Sequence, residues 1–424
     1  MQKKAEKMKI KFVNHASFII ESGTTKLICD PWMEGHAFDN GWRLLSDTRL
    51  NYDDFKNITH IWFSHEHPDH FSPPNLLKIP KEYRDLITIL FQETVDQKVV
   101  DFCKKIGFRE QIGLKENERY FIEEKFSIIC NPYTDGDSFA VFEDSSTKLL
   151  NLNDCIVNSN QRAKEIFETV GKVDVLFTQF GYANKVGNTD ETDKREQASR
   201  EKLDRIRYQV NHLQPKYVVP FASFIYFCHE ENRYMNEGMN HIQEVYDFVE
   251  ENTSSDCTVL YPDDEWDASS KIDSNKAIES YNSDYSKIKS ATFEKADVIP
   301  IEELIRNSEN FMEKILHGFP SNEDFIKGLD CRIYLDDYKR FYELKGGVGL
   351  RESRINEEAC DLAVSSEALN YTFLHLWGGD TLNVNARFQT TESGNYYKFR
   401  YLAVIASCLN RGEEFPTPSP RLYQ

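Results

Sequence analysis

The stretch Ile61-Trp62-Phe63-Ser64-His65-Glu66-His67-Pro68-Asp69-His70 decides how this chain is read. A short apolar run stops abruptly in a loop crowded with imidazoles and carboxylates. Four of the eleven histidines fall between positions 60 and 70. A strand ending in such a loop delivers several nitrogen and oxygen donors to one edge of a sheet. Donors of this kind suit zinc, iron or manganese. His65 and His67 can turn to one ion while Asp69 and His70 turn to a second, and Pro68 stiffens the loop.

Outward from this loop the pattern is strand-rich. Upstream, 9–13, 17–20 and 26–29 are short runs rich in β-branched residues, with Ser22-Gly23-Thr24 as a turn. Pro31 in Asp30-Pro31-Trp32 ends the third run, because it has no N–H to give a ladder. Downstream, strands are expected at 58–63, 87–90, 126–129, 139–142, 148–152, 173–177 and 217–219. A helix is expected over about 191–213, where Leu203, Ile206, Val210 and Leu213 gather on one face. Gln214-Pro215 stops it, and its charge-dense part, 191–207, reads as a solvated face. Strands first, then strands alternating with helices, indicate an α/β sandwich.

Residues 267–295, with seven serines among Lys, Asn and Asp, read as a linker or extended excursion. Beyond it, 368–376 and 382–388 read as strands around a turn at Gly378–Asp380, and the tail with Pro416, Pro418 and Pro420 as loose.

Composition excludes several classes. With 51 Lys+Arg against 70 Asp+Glu, the net charge of −19 argues against a general nucleic-acid binder. The longest apolar run, 217–228, is too short to span a bilayer and is broken by Pro220. No apolar signal-peptide core follows Met1-Gln2-Lys3-Lys4. The nine cysteines are odd in number and form no Cys-x-x-Cys pair, which reads as reduced thiols in a cytoplasmic protein.

The spacing His65-x-His67-x-Asp69-His70 resembles the metal-binding signature of the metallo-β-lactamase superfamily. Asn14-His15-Ala16-Ser17 and Cys29-Asp30-Pro31-Trp32 look like the opening strands of that fold. Three further segments are similar to CMP-N-acetylneuraminate hydroxylases. They are 32–45, Leu150-Asn151-Leu152-Asn153-Asp154-Cys155, and the run from Leu213 through Pro220-Phe221-Ala222 to His229 and Tyr234. The resemblance covers 9–265 and implies an αββα metallo-β-lactamase sandwich with metal at the edge where strands end. The expected organisation is a catalytic domain over 1–266, the linker or excursion over 267–295, and a smaller C-terminal α+β domain over 296–424.

Carried over position by position, the resemblance implies His65, His67, Asp69 and His70 as metal ligands, Asp154 as the bridging carboxylate and His229 as the last histidine ligand. Asp69 and Asp154 would also carry the proton in catalysis. Two departures stand out. The family's histidine between His70 and the bridging aspartate falls in Asn131-Pro132-Tyr133-Thr134-Asp135-Gly136-Asp137-Ser138, which has none. Tyr133 stands at the expected position, and Asp135 is the nearest carboxylate that could substitute. An oxygen-richer site favours iron or manganese over zinc. The hydroxylases also carry a Rieske iron–sulfur domain, whose Cys-x-His and Cys-x-x-His pairs this sequence lacks. Asp30 reads as an acceptor behind the histidine loop, and His15 and His36 as substrate-facing or structural.

One or two divalent ions held this way acidify water and polarise a carbonyl or phosphoryl oxygen. The expectation is a metal-dependent hydrolase of an ester, amide or phosphodiester of a small anionic metabolite, a nucleotide sugar being one example. The alternative is an iron-dependent oxygenase taking electrons from a separate redox partner. The second alternative is a non-catalytic binding protein. Expected partners are a small-molecule substrate, with no nucleic acid and no membrane span, and a homodimer is left open.

Overall fold

The computed structural model describes residues 7–353, 360–391 and 394–423, apart from the side chains of Asp135 and Tyr423. Two seven-stranded sheets build the larger part. The first runs Glu265–Trp266, Lys9–Asn14, Ser17–Ser22, Thr25–Cys29, His60–Trp62, Thr88–Gln92, Glu110–Leu114. The second runs Asp256–Cys257, Tyr217–Phe221, Val175–Gln179, Lys148–Asn151, Ser138–Glu143, Phe126–Pro132, Arg119–Glu123.

Strand alternation explains the layering, because successive side chains point to opposite faces. Phe12, Phe18, Ile20, Leu27 and Trp62 of the first sheet share one core with Ile128, Phe142, Leu149 and Phe177 of the second. Phe18 stacks on Phe177 across the gap, with ring centroids 4.3 Å apart. The intervening residues face outward. Ile19, Ile28, Ile61 and Ile89 meet Leu76, Val99 and Cys103, and Val141, Leu150 and Leu176 meet Ala163, Ile166 and Leu213 of the helices. The result is helix, sheet, sheet, helix.

Each sheet is antiparallel on one side and parallel on the other. Thr25–Cys29, His60–Trp62 and Thr88–Gln92 are parallel neighbours, as are Lys148–Asn151, Val175–Gln179 and Tyr217–Phe221. Ligands in such sheets bind beyond the carboxyl ends of parallel strands. Asp30, the His65–His70 loop, Asp154 and Gln179 all stand at or just past such ends.

The helix Thr192–Leu213 departs from a simple solvated face. It ends on Gln214, in a left-handed conformation (φ 48°). Arg195 and Lys202 lie on its buried side with Ile206, Val210 and Leu213. Inside the stretch read as a linker, Asn275–Ile288 is a helix that buries Ala277, Ile278, Tyr281 and Tyr285 in the main core. Tyr281 stacks on Phe224 at 4.0 Å. The many serines hid an i, i+1, i+4, i+8 apolar stripe.

From residue 304 onward a second core gathers around the five-stranded sheet Gly349–Glu352, Arg340–Lys345, Asp330–Leu335, Leu362–Val364, Phe388–Gln389. Two expected strands in this part are helices instead, Ser366–Leu374 and Gly378–Asn385. Ser365 accepts a hydrogen bond from the Ala368 N–H, which caps the first of them and favours helix over strand. The proline-rich tail is docked rather than loose. Tyr401 donates to the Pro416 carbonyl at 2.6 Å, and Leu422 is buried in the second core. Among the described residues no helix is long and apolar enough to cross a membrane. All nine cysteines are buried free thiols.

Candidate metal centre

Asp30 is the fixed point of the site. It is fully buried and takes φ 39°, a left-handed value that turns the chain out of the strand. Its Oδ1 accepts from the Ser64 N–H at 2.8 Å, and its Oδ2 accepts from Ser64 Oγ at 2.7 Å and Asn153 Nδ2 at 3.0 Å. Asp30 Oδ2 also lies 3.1 Å from His70 Nδ1. That contact fixes the ring so that His70 Nε2 points the other way, toward Asp69 Oδ2 at 3.2 Å and Asp154 Oδ1 at 3.4 Å. A carboxylate on the far nitrogen is the usual device for orienting a ligating imidazole.

His65 is held similarly, its Nδ1 2.9 Å from Ser64 Oγ. Its Nε2 faces His67 Nδ1 at 2.7 Å, Asp137 Oδ1 at 3.7 Å and Asp154 Oδ2 at 3.8 Å. The Ser64 carbonyl is itself anchored by Ser138 Oγ at 2.6 Å, which ties the second sheet to the histidine loop. On the other side His15 Nε2 lies 3.2 Å from Asp69 Oδ2, with its ring edge-on to Trp32.

Three groups of donors therefore converge: His65, His67 and Asp137; His65, His70 and Asp154; His15, Asp69 and His70. Within each group the ligand atoms lie within 4.8 Å of one another. Buried His15 Nδ1, Asp69 Oδ1 and His70 Nε2 make no aligned hydrogen bond. Buried polar atoms are rarely left so. Orphaned nitrogen and oxygen atoms pointing into a cluster of imidazoles and carboxylates fit a divalent transition ion.

The electrostatics follow from packing. Burial, and then the neighbouring charges of His70 and His67, hold His65 well below the usual imidazole range. Burial also opposes charge on His70, but Asp69 and Asp154 outweigh it and hold that ring well above its ordinary value. Burial works against ionisation of Asp154, yet His70 and then His65 pull its carboxyl down to about 2. Asp69 is likewise held well below the carboxylate range despite its burial, chiefly by His70 and His15. Burial pushes the Cys155 thiol far up, so it offers no thiolate beside Asp154.

Not every residue singled out from sequence arrives here. Tyr133 donates its hydroxyl to the Ile156 carbonyl at 3.1 Å and lies against Arg162. The Asp135 side chain lies outside the described residues. In the same segment Asp137 faces His65, its Oδ1 3.7 Å from His65 Nε2. It immediately precedes the strand Ser138–Glu143, and that strand's start is what places it at the shared edge. His36 is turned to Arg43 Nε at 2.6 Å and Glu294 Oε1 at 3.2 Å. His229 is absent from the three groups. Its Nδ1 accepts from the Glu231 N–H at 3.2 Å, and burial followed by the nearby Arg387 lowers it to about 4. The strand Tyr217–Phe221 brings Ala222 to this edge, where its N–H donates to the His15 carbonyl at 2.8 Å.

Gln179 completes the surroundings. Its Nε2 donates to Asp154 Oδ1 at 2.6 Å, and its Oε1 accepts from Lys202 Nζ at 3.1 Å. Lys202 could have been found from sequence only by noticing that it lies one residue before Leu203 on the apolar stripe.

Residues 9–222 match the family described as the beta-lactamase superfamily domain. The chain is 25% identical over 251 residues to cytidine monophosphate-N-acetylneuraminic acid hydroxylase of Danio rerio, covering 55% of this chain and 41% of that one. It is 25% identical over 252 residues to the enzyme of the same name from Mus musculus, covering 54% and 41%. The chain thus spans less than half the length of these curated relatives. Among solved structures it is similar to isothiocyanate hydrolase from Delia radicum gut bacteria. The TM-score is 0.46 at 13% identity, over 61% of this chain and 98% of that one.

Proposed function

The chain belongs to the beta-lactamase superfamily, and from that premise we propose that it is a metal-dependent hydrolase acting on an ester, amide or phosphodiester of a small anionic metabolite. The observation that carries this reading is the convergence of His65, His67, Asp137, Asp154, His70, Asp69 and His15 at one edge of the sandwich. His65, His67 and Asp137 would hold one divalent ion and Asp69, His70 and His15 a second, with Asp154 between them. His15 would thereby take the role expected of His229. A divalent ion bound there supplies Lewis acidity and an acidified water molecule.

The chain's own residues do the rest. Asp30 holds His70 in one orientation through Nδ1. Gln179 occupies Asp154 Oδ1, which leaves Oδ2 on the His65 side to accept the proton that water gives up. Asp69, with Oδ1 free of hydrogen bonds, is a second acceptor. The leaving group receives its proton from one of these two carboxyls. The catalytic unit in this reading is the double sandwich, and the part from 296 to 424 is a separate unit packed on it.

A second reading is favoured by the relatives' printed activity. In an iron-dependent oxygenase the same donors would hold iron, for which Asp137 in place of an imidazole is suitable, and electrons would come from a separate partner. The test is to purify the protein with and without oxygen, assay bound metals, and run a phosphodiester and lactone panel. Hydrolysis without oxygen supports the first reading. Iron content with oxygen consumption and no hydrolysis replaces it with the second. No stoichiometric metal in either preparation removes both.

A further inference from the structure

The strand Val175–Gln179 and the helix Thr192–Leu213 meet beside the metal centre through two pairs of polar side chains. Thr178 donates its hydroxyl to Gln209 Oε1 at 2.7 Å, and Lys202 Nζ donates to Gln179 Oε1 at 3.1 Å. Lys202 and Gln209 stand about two helical turns apart and share one face of the helix. Both are buried, as is Thr178. The register of helix against strand is thereby pinned, and an amine is delivered to the end of the strand.

Gln179 passes that contact on, because its Nε2 donates to Asp154 Oδ1 at 2.6 Å. A side-chain amide can turn over about its last torsion and exchange oxygen for nitrogen at little steric cost. Here the chemistry at both ends selects one orientation. An ammonium only donates, so it takes the amide oxygen, and an ionised carboxylate only accepts, so it takes the amide N–H. Burial and then Arg205 lower Lys202 to about 7, while Asp154 acts in the opposite direction. Asp154 is thus an opposite charge for Lys202, with the amide of Gln179 bonded to both.

We infer that Lys202 is a positioning residue of the metal centre: through the side-chain amide of Gln179 it holds the Asp154 carboxylate in one orientation, with Oδ1 bonded and Oδ2 turned to His65. The inference rests on the reading of Asp154 as a metal ligand and names the residue that fixes it. The terminal torsion of an aspartate is soft, and Asp154 is partly exposed, so the plane of its oxygens depends on what bonds them. With Oδ1 taken by the amide, Oδ2 lies 3.8 Å from His65 Nε2. Without Lys202 the amide is free to turn, and its oxygen would then face the carboxylate, lone pair against lone pair.

The test is titration of the metal-free protein with cobalt(II), read both as affinity and as the visible absorption of the bound ion. The variants are Lys202→Met, Gln179→Met and the double variant. Arg200→Met, which removes the same charge from an exposed position of the same helix, is the control. Denaturant unfolding of the metal-free forms is measured alongside. Gln179→Met should bind cobalt(II) about tenfold more weakly and Lys202→Met about fivefold more weakly, both with a shifted absorption band. Loss of a positive charge by itself favours a cation, so weaker binding in Lys202→Met reports orientation and not charge. Because Lys202 acts through Gln179, the double variant should bind no more weakly than Gln179→Met. Arg200→Met should match the wild type. In unfolding, the equilibrium constant of the double variant should differ at least about fivefold from the product of the single changes. Cobalt(II) affinity in folded Lys202→Met that is tighter than wild type or within about twofold of it, with the band unmoved, would overturn the inference, as would a double variant whose loss equals the product of the two single losses. Gln179 is the more exposed of the pair, so Gln179→Met carries the test if Lys202→Met does not fold, and an unchanged affinity there overturns the inference equally. Failure of the metal reading looks different: the wild type binds no cobalt(II), and the unfolding cycle still decides whether Lys202 and Gln179 act together.

Discussion

The candidate metal centre and the surroundings of Arg387 both bury charge, and they are built on opposite plans. In the metal centre, imidazole and carboxylate atoms point inward and several have no aligned partner. The Arg387 guanidinium, by contrast, is bonded at every nitrogen, although the neighbouring His229 Nε2 has no aligned partner. The guanidinium is fully buried, its Nε donates to Glu231 Oε2 at 2.7 Å, and its Nη1 donates to the Asp39 carbonyl at 2.9 Å and Oδ2 at 3.0 Å. Its Nη2 donates to Glu367. A charge cluster that satisfies itself is a joint between segments, and one with lone pairs left over is made for a guest. The joint connects the second core to the turn at Phe38, Asp39 and Asn40, three successive left-handed residues with φ 52°, 52° and 54°. Asn385 Nδ2 also donates to the Phe38 carbonyl, at 3.2 Å. Phe38 in turn packs edge-on to His67, with centroids 5.8 Å apart. The C-terminal part thereby reaches the metal centre through one strained turn.

The contrast can be broken most forcefully at Arg387. Arg387→Ala leaves Asp39, Glu231 and Glu367 facing one another, and a loss of about 3–5 kcal/mol is expected in denaturant unfolding of the metal-free protein. Asp154→Ala in the same metal-free protein should cost less, because Asp154 is partly exposed and the loss is confined to its contacts with His70 and Gln179. Equal losses in the two variants would erase the distinction between joint and site.

Asp30→Ala sharpens it at the level of the ligands. His70 would lose the partner on its Nδ1, and metal affinity should fall about 10- to 100-fold with the other ligands intact. Competition with a chelator of known affinity reads this directly, and an unchanged affinity would mean that packing alone orients the ring.

A smaller effect is expected from pH. Asp69 and Asp154 hold His70 protonated in the metal-free protein, so its folded-state value is raised. That interaction stabilises the metal-free fold fully below the unfolded value of about 6.5 and is lost as pH rises through the raised value. Metal must displace this proton. Affinity should therefore climb about tenfold per pH unit below the raised value and level off above it. The Asp154 carboxyl, lowered to about 2, contributes stability above about pH 3.9 that disappears only as pH falls toward 2. A metal affinity flat between about pH 6 and 8 would show that His70 is not a ligand.

Much of this was legible in the sequence because its signals are local. The run from Ile61 to His70 carries both the strand and the donors, and the apolar runs at 139–142 and 148–152 mark strands of the second sheet. What escaped depends on distant partners. Asp137 carries no sequence signal of its own, and its place opposite His65 follows from the start of the strand at Ser138. His15 and His229 are both single histidines beside apolar runs, and only the folded chain sets one against Asp69 and the other against Glu231. Lys202 hid in a charged stretch because burial of a lysine has no sequence signature. The helices Ser366–Leu374 and Gly378–Asn385 read as strands in the sequence because their apolar residues carry no clear period.

Metal held by these side chains is what the donor cluster is built for, and metal content measures it most directly. Elemental analysis of the wild type, Asp154→Ala and His67→Ala, purified side by side with folding checked by circular dichroism, should give about one to two ions per chain in the wild type. Each folded variant should retain only a minor fraction of that. Full metal content in both variants would contradict the assignment of the centre.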